Sequence, residues 1–264
     1  MAEMITSRQN RRIIDAHALA DKKARDKTGL FAVEGIKLLN ELISENVKLS
    51  EVYYTKGAYA RFHETIDAVQ NLCAVFEVTD EVYEKLSFEK TPEGIFTVAQ
   101  KTEIFDDVLE TPGKGGFVIL DGVQNPSNVG TVIRTAAALG VSRILLGEGC
   151  ADIFGPKTLR ACMGTLFKVN ICVTSDICSQ IRKIKDMGNK IYGAALDDSS
   201  VDVRTVSFEK DDCIILGNEG NGISKRVLDL CDKKIIIPMQ QNAESLNAAA
   251  AAAVLIWEKQ KGVM

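Results

Sequence analysis

The sequence has few of the side chains on which many enzymes depend. Its 264 residues include only two histidines, His17 and His63, and both are far along the chain from the glycine-rich segments discussed below. A histidine-based catalytic triad and most zinc sites are therefore excluded. We expect no bound metal.

Disulfide and membrane signals are also missing. The seven cysteines are odd in number and form no Cys-x-x-Cys pair, which is typical of reduced cysteines in apolar surroundings. The longest apolar run, Ala248 to Trp257, is about half the roughly 20 residues that a membrane-spanning helix needs. The first residues contain no apolar signal core, so we expect a cytoplasmic protein.

Positive charge is not in excess, since the net charge is −4 and the pI is about 5.4. Because nucleic-acid binding rewards positive surface through counterion release, RNA binding would need a local basic patch. The basic N-terminal stretch is a candidate, and the residues that we select from it are Arg8, Arg12, Lys22 and Arg25. The solvated face of an amphipathic helix explains the same stretch equally well.

The chain divides into two α/β regions. Residues 1–103 show helical spacing over about residues 8–27 and 36–44, and strand-like runs at 31–33, 51–55, 74–78 and 95–99. A charged segment rich in glycine, residues 104–115, predicts a linker. From residue 116 to 264, continuous apolar strands alternate with helices, which indicates a buried, mostly parallel sheet. In such sheets ligands bind beyond the carboxyl ends of the strands.

The first candidate loop follows a strand at residue 120. A tight turn and a helix cap explain Pro126 and one asparagine near it. They do not explain Arg134, which lies in an otherwise apolar predicted helix, where a buried guanidinium would be costly unless paired. A functional role for Arg134 is favoured, and a surface or structural ion pair is the alternative.

The second candidate loop, GNEGNG at residues 217–222, follows another strand. Glycines allow a ligand to approach the backbone closely. The spacing is not that of a dinucleotide fingerprint, and the next strand ends without the acid that would bind a nicotinamide ribose, which disfavours an oxidoreductase. Glu219 is either functional or a solvated turn residue.

The third candidate segment, IPMQQNAESLNAA, leads into an alanine-rich helix. Ser245 or Asn247 could simply cap that helix. Alanines on nearly every face indicate close packing against another backbone, although an ordinary stable helix remains the alternative.

Together, NPSNVGTVIRTA, GNEGNGIS and IPMQQNAESLNAA resemble the three motifs of the SpoU (TrmH-like) branch of the SPOUT RNA methyltransferases, in the same order and at similar spacing. The resemblance covers about residues 114–264. It implies a trefoil-knotted α/β fold, which is a rare exception to the rule against knots, and a homodimer. Residues 1–103 resemble, less specifically, the RNA substrate-binding domain attached to many of these enzymes.

The resemblance also implies the site and the reaction. Its cofactor S-adenosylmethionine (SAM) would be held by Leu216, Gly217, Gly220, Ile237, Met239 and Leu246. Its catalytic polar set corresponds to Asn128, Arg134, Glu219, Ser245 and Asn247. Two departures, Ala248 where the family often has valine and Ser127 where it has larger polar residues, leave that set unchanged.

The expected activity is methylation of a ribose 2′-hydroxyl in structured RNA. Ribosomal RNA of the 23S type is favoured over transfer RNA, and we expect neither a DNA nor a membrane partner. A non-catalytic RNA-binding protein is a more distant alternative. It predicts RNA binding without SAM binding.

Overall fold

The computed structural model describes residues 3–240 and 245–261, and they form two compact units. Unit 1 comprises Met1–Thr102 and Phe154–Phe167, and unit 2 comprises Glu103–Ile153 and Lys168–Met264. Within the described ranges, no helix has the length and apolar character needed to cross a membrane.

The regular elements alternate along the chain. The strands are β1 (Glu3–Ile5), β2 (Leu30–Glu34), β3 (Leu49–Thr55), β4 (Ala74–Val78), β5 (Ile95–Gln100), β6 (Val118–Asp121), β7 (Arg143–Leu146), β8 (Asn170–Val173), β9 (Ile191–Ala194), β10 (Val201–Asp202), β11 (Cys213–Gly217) and β12 (Lys233–Ile236). The helices are α1 (Arg11–Ala18), α2 (Lys22–Thr28), α3 (Ile36–Ser44), α4 (Lys56–Val69), α5 (Asp80–Leu86), α6 (Pro126–Ala138), α7 (Pro156–Cys162), α8 (Ile177–Asp186), α9 (Lys225–Leu228) and α10 (Ala248–Gln260).

The helical spacing over about residues 8–27 corresponds to two helices, α1 and α2, with a turn between them. Asn10 caps α1 by accepting a hydrogen bond from the Arg12 amide. The Arg25 guanidinium then donates to the carbonyls of Leu19 and Ala20, each at 2.7 Å. These carbonyls are thereby satisfied outside a helix, which stabilises the turn between α1 and α2.

Unit 1 is built on a five-stranded sheet in the order β1-β4-β3-β5-β2. β1, β4 and β3 pair in parallel, whereas β5 runs antiparallel to both β3 and β2. The core beside this sheet contains fully buried aromatic rings, among them Tyr53 and Phe96. α7 also belongs to this unit and packs against β2.

Unit 2 is built on a seven-stranded sheet in the order β10-β12-β9-β11-β6-β7-β8. All of its described strand pairings are parallel, as continuous apolar strands predict. Ile119, Leu145 and Ile215 on neighbouring strands are fully buried. The predicted α/β class and the parallel sheet are confirmed.

The last helix, α10, is fixed along its length within unit 2. It packs against α6 and β11. Near its carboxyl end the buried Lys259 ammonium donates to the carbonyl of Lys210 at 3.0 Å. The Gln260 amide donates to the carbonyl of Leu139, just after α6, at 2.7 Å. These bonds hold α10 beside α6, and therefore hold its first residues near the loop before α6.

The cysteines are free thiols, as predicted. Burial is the largest influence on most of them, and it raises the pKa of Cys150 and of Cys213 to about 11. At neutral pH these thiols are protonated and hence weak nucleophiles.

Candidate active site

Three loops and the start of α10 surround a cavity of about 660 Å³ in unit 2. β12, β9, β11 and β6 lie side by side and run in parallel, so their carboxyl ends meet at one edge of the sheet. A cavity of this volume, at the edge where parallel sheets bind ligands, can bury most of a drug-sized molecule.

The residues that the sequence predicts to bind the cofactor come together at this cavity. They lie at the end of β11 and in the loop that follows it, after β12, and just before α10. The cavity lining includes Leu216, Gly217, Gly220, Ile237, Met239 and Leu246. The apolar side chains and the glycine backbone are thus brought to one surface by the sheet. Residues 241–244, which precede Ser245, lie outside the part of the chain that the structure describes.

The glycine loop, residues 217–222, folds back on itself. The backbones of Asn218 and Gly222 exchange two hydrogen bonds, of 3.0 and 2.9 Å. Gly222 has a φ of +68°, and a Cβ on Gly217 would lie 2.1 Å from the carbonyl carbon of Gly222. Glycine is required at both positions, for backbone conformation at Gly222 and for space at Gly217.

Glu219, at the tip of the glycine loop, binds the loop between β6 and α6. Its carboxylate accepts hydrogen bonds from the Gln124 amide at 3.1 Å, the Asn125 amide at 3.0 Å and the Asn128 side-chain amide at 2.9 Å. Burial alone raises the pKa of Glu219, but hydrogen bonds, that from Asn128 foremost, bring its pKa below the ordinary value. Glu219 is therefore ionised at neutral pH and is not a ready proton donor.

Asn128 connects Glu219 to the start of α10. Its side chain is almost fully buried, with 5% exposure, and its Oδ1 accepts a hydrogen bond of 3.0 Å from Nδ2 of Asn247. The Oδ1 of Asn247 in turn accepts from the amides of Ala249 and Ala250 and caps α10. Three of the predicted polar residues, one from each motif, thus form a continuous hydrogen-bonded chain.

Arg134 and Ser245 are not part of that hydrogen-bonded chain. Arg134 is exposed on α6, and among the described residues it forms no hydrogen bond or ion pair. The expectation that the Arg134 guanidinium is buried in an apolar helix is wrong, because α6 turns this position away from the core. Ser245 lines the cavity and is likewise exposed.

Sequence reasoning missed two contributors to the site. Asn218 lines the cavity and bonds to the carbonyl of Gly122 at 2.9 Å. Asp197, after β9, also lines the cavity, and its hydrogen bond with Lys234 holds the pKa of its carboxyl well below the usual range. A polar residue shortly after a strand was a signal for both, Asn218 directly after β11 and Asp197 three residues after β9. Only the strand order, however, places β9 between β11 and β12.

The four basic residues predicted to bind RNA have different environments in unit 1. Arg8 is exposed, Arg12 pairs with Glu51 and lies over the Phe76 ring, and Lys22 forms an exposed ion pair with Asp26. Arg25 is only 3% exposed and bonds to backbone carbonyls. The structure does not support the prediction that Arg25 contacts RNA, because its buried guanidinium already donates to carbonyls within unit 1.

Unit 2 combines a parallel sheet, a cavity at its carboxyl edge and a polar network beside that cavity, which together define a ligand-binding site of the kind that α/β enzymes have. Residues 116–257 match the SpoU rRNA Methylase family, and residues 10–97 match the MRM3-like substrate binding domain. The chain belongs to the SpoU rRNA methylase family, and the family predicted from the three motifs is confirmed.

Individual relatives match along nearly the whole chain. The 23S rRNA (guanosine(2553)-2′-O)-methyltransferase RlmP of Bacillus subtilis is 31% identical over 255 residues, which cover 97% of this chain and 98% of that protein. A 23S rRNA (uridine(2479)-2′-O)-methyltransferase of Streptomyces viridochromogenes is 27% identical over 97% of this chain and 91% of its own length. The crystal structure of an AdoMet-bound rRNA methyltransferase from Sinorhizobium meliloti has a TM-score of 0.88 and 27% identity, and the match covers 100% of this chain and 99% of that one.

Proposed function

We propose that this protein transfers a methyl group from SAM to a ribose 2′-hydroxyl in ribosomal RNA of the 23S type. The observation that carries the proposal is the cavity at the sheet edge, bordered by the hydrogen-bonded chain from Glu219 through Asn128 to Asn247. Similarity over nearly full length to 23S rRNA 2′-O-methyltransferases supports the RNA class.

The cavity suits SAM in volume and in chemistry. The glycine loop offers backbone groups without side chains in front of them, and Leu216, Ile237 and Leu246 offer apolar contacts. When bound, SAM supplies a methyl group that its sulfonium charge already activates. The residues of the chain would therefore orient the ribose 2′-oxygen to displace S-adenosylhomocysteine from the methyl carbon, and would stabilise that oxygen as its proton passes to water or phosphate.

We assign these tasks to the predicted polar set. Alignment is worth up to about 7–11 kcal/mol of an activation barrier. Arginine stays protonated in proteins, so Arg134 would bind the phosphate next to the target ribose and stabilise negative charge on the attacking oxygen. Its exposed position leaves the guanidinium accessible to RNA. Ser245 and Asn247 would orient the ribose, and Glu219 would hold Asn128 in place.

The test is incubation of the purified protein with tritiated SAM and ribosomal or transfer RNA from a bacterium that lacks its own copy, followed by digestion to nucleosides. We expect label in a 2′-O-methylnucleoside from large-subunit ribosomal RNA. Label found only in transfer RNA would show that transfer RNA, and not ribosomal RNA, is the substrate. RNA binding with no SAM binding would overturn the enzymatic proposal in favour of the non-catalytic alternative.

We also propose the finer organisation that the sequence predicts. It comprises domains at 1–103 and 116–264 joined by residues 104–115, a trefoil knot in the second domain, a homodimer and a cytoplasmic location. The compact units differ from these domains in that residues 103–115 belong to unit 2 and Phe154–Phe167 to unit 1. The family matches at 10–97 and 116–257 support the domain boundaries. α10 exposes Val254 by 39% and Trp257 by 50%, which supports association through this helix. Sedimentation of the wild type and of Trp257→Lys tests the dimer, which we expect the variant to weaken.

A further inference from the structure

Asn218 forms more hydrogen bonds than a turn residue requires. Its Oδ1 accepts from the amides of Gly220 at 3.0 Å and Asn221 at 3.1 Å, which closes the turn of the glycine loop. Its Nδ2 donates to the carbonyl of Gly122 at 2.9 Å. The first two bonds are local, whereas the third joins the glycine loop to the residue directly after β6.

A second bond ties the other end of the same loop to β6. The backbone amide of Ser224 donates to the carboxylate of Asp121, the last residue of β6, at 2.7 Å. Asp121 is 7% exposed. The segment from Asn218 to Ser224 is therefore anchored at both ends to two consecutive residues, Asp121 and Gly122.

Glu219 projects from between these two anchors. It binds Gln124, Asn125 and Asn128, which follow Gly122 along the chain. Asn218 and Glu219 are neighbours, and the groups they bind, at Gly122 and Gln124, are two residues apart. Next to the pairing of Gly217 with Asp121, the Asn218 bond is thus the contact between the two loops that lies nearest in sequence to those of Glu219.

We infer that Asn218 is a positioning residue for methyl transfer, which acts through Glu219 to fix Asn128 and Asn247 beside the cofactor cavity. The inference rests on the proposed function for the reaction that is measured. The local turn needs only the acceptor oxygen of Asn218, so its amide donor is available for alignment of the two loops. A misplacement of about 1 Å in a catalytic arrangement can cost about 100-fold in rate.

The decisive variant is Asn218→Asp. An aspartate keeps an acceptor for Gly220 and Asn221 but has no donor for Gly122, and it places negative charge against that carbonyl. Asn40→Asp is the matched control. Asn40 is exposed in α3 of unit 1, so this substitution adds the same charge away from the site. We expect Asn218→Asp to lower kcat by about 10- to 100-fold, with the SAM Kd within about threefold of wild type and Asn40→Asp unchanged. Wild-type kcat in Asn218→Asp would overturn the inference.

A double-mutant cycle tests whether Asn218 acts through Glu219. If it does, the kcat of Asn218→Asp/Glu219→Gln equals that of the more impaired single variant, because both changes break one pathway. Multiplicative losses would show independent roles and overturn the inference. If the aspartate variant does not fold, Asn218→Ser, which adds no charge and keeps a side-chain oxygen as an acceptor for the turn, replaces it in the same cycle.

Amide hydrogen exchange gives a readout that needs no activity. In Asn218→Asp, the amides of Gln124 and Asn125 should exchange about tenfold faster, which corresponds to the loss of one hydrogen bond. Those of Gly220 and Asn221 should be unchanged and serve as the internal control. Unchanged exchange at Gln124 and Asn125 would overturn the inference even if the wild type methylated no RNA, whereas absence of wild-type methylation alone would overturn only the proposed function.

Discussion

The Nδ2 atom of Asn247 lies 3.0 Å from Oδ1 of Asn128, so the residue that caps α10 also holds the buried amide at the start of α6. Asn247 uses its two amide atoms for two tasks: Oδ1 satisfies the first amides of α10, and Nδ2 binds Asn128. The stability of α10 and the geometry of the proposed site thus both depend on the Asn247 side chain. Substitutions that remove only one of its two kinds of hydrogen bond can distinguish these contributions.

The first prediction separates the two tasks of Asn247. Asn247→Asp keeps an oxygen that caps α10 but replaces the donor with an oxygen facing Oδ1 of Asn128. We expect the free energy of unfolding to fall by about 0.5–1.5 kcal/mol, for the lost bond to Asn128 alone, and kcat to fall by at least about tenfold. Asn247→Ala should lose the cap as well, at a further cost of about 1 kcal/mol. Denaturant titrations and methyl-transfer kinetics measure both, and equal activity of wild type and Asn247→Asp would contradict the proposed role.

The second prediction concerns Arg134. Because this side chain is exposed and binds none of the described residues, Arg134→Ala should change the free energy of unfolding by less than about 0.5 kcal/mol. It should nevertheless abolish methyl transfer and leave the SAM Kd nearly unchanged. Calorimetric titration with SAM and the tritium assay check the two halves of the prediction. Retained full activity would remove Arg134 from the catalytic set.

The third prediction concerns Gly217, whose Cβ position is occupied by the backbone of Gly222. Gly217→Ala should force the glycine loop open and weaken SAM binding by at least about tenfold, with a loss of about 1–3 kcal/mol in stability. Gly57→Ala is a suitable control, because a Cβ there meets only one atom within 4 Å, at 3.9 Å. Equal SAM affinity in Gly217→Ala and wild type would contradict this account of the loop.

The fourth prediction uses the lowered pKa of Glu219. In the unfolded chain this carboxyl has its ordinary pKa of 4.5, so its ionised form stabilises the fold above that pH. This stabilisation is lost as the pH falls through the lower folded value. The difference in free energy of unfolding between wild type and Glu219→Gln should therefore be largest at neutral pH and shrink below about pH 4.5. A difference that grows on acidification would contradict the direction of the shift.

The fifth prediction distinguishes the basic residues of unit 1. Arg8→Glu/Lys22→Glu should weaken binding to structured RNA and flatten its dependence on salt, by about one unit of slope for each phosphate that is no longer neutralised. Arg25→Met should instead lower stability, because the carbonyls of Leu19 and Ala20 lose their donor. RNA titrations at several salt concentrations and thermal unfolding separate these effects. Unaltered RNA affinity in the double variant would favour the solvated-face interpretation.

Several parts of the fold follow from local sequence. Continuous apolar strands predicted the parallel sheet of unit 2, and α3 begins and ends at the predicted residues Ile36 and Ser44. These features depend on hydrophobic periodicity and on the burial of both sheet faces, and both leave a pattern among residues that are close together in the sequence. The break between α1 and α2 was not predictable in this way, because the Arg25 side chain stabilises it by binding carbonyls of the turn.

The order of amino acids alone establishes the chemistry of the site: three loops with glycines, amides and a carboxylate, in the order and spacing of the SpoU motifs. Packing of the folded chain selects which of these groups meet. Glu219 binds Asn128 across 91 positions of the chain and Asn247 binds Asn128 across 119, whereas Arg134, six positions from Asn128, is exposed and bonds to none of the described residues. Strand order and helix packing bring Glu219 and Asn247 to Asn128, and both depend on contacts between segments that are remote in sequence.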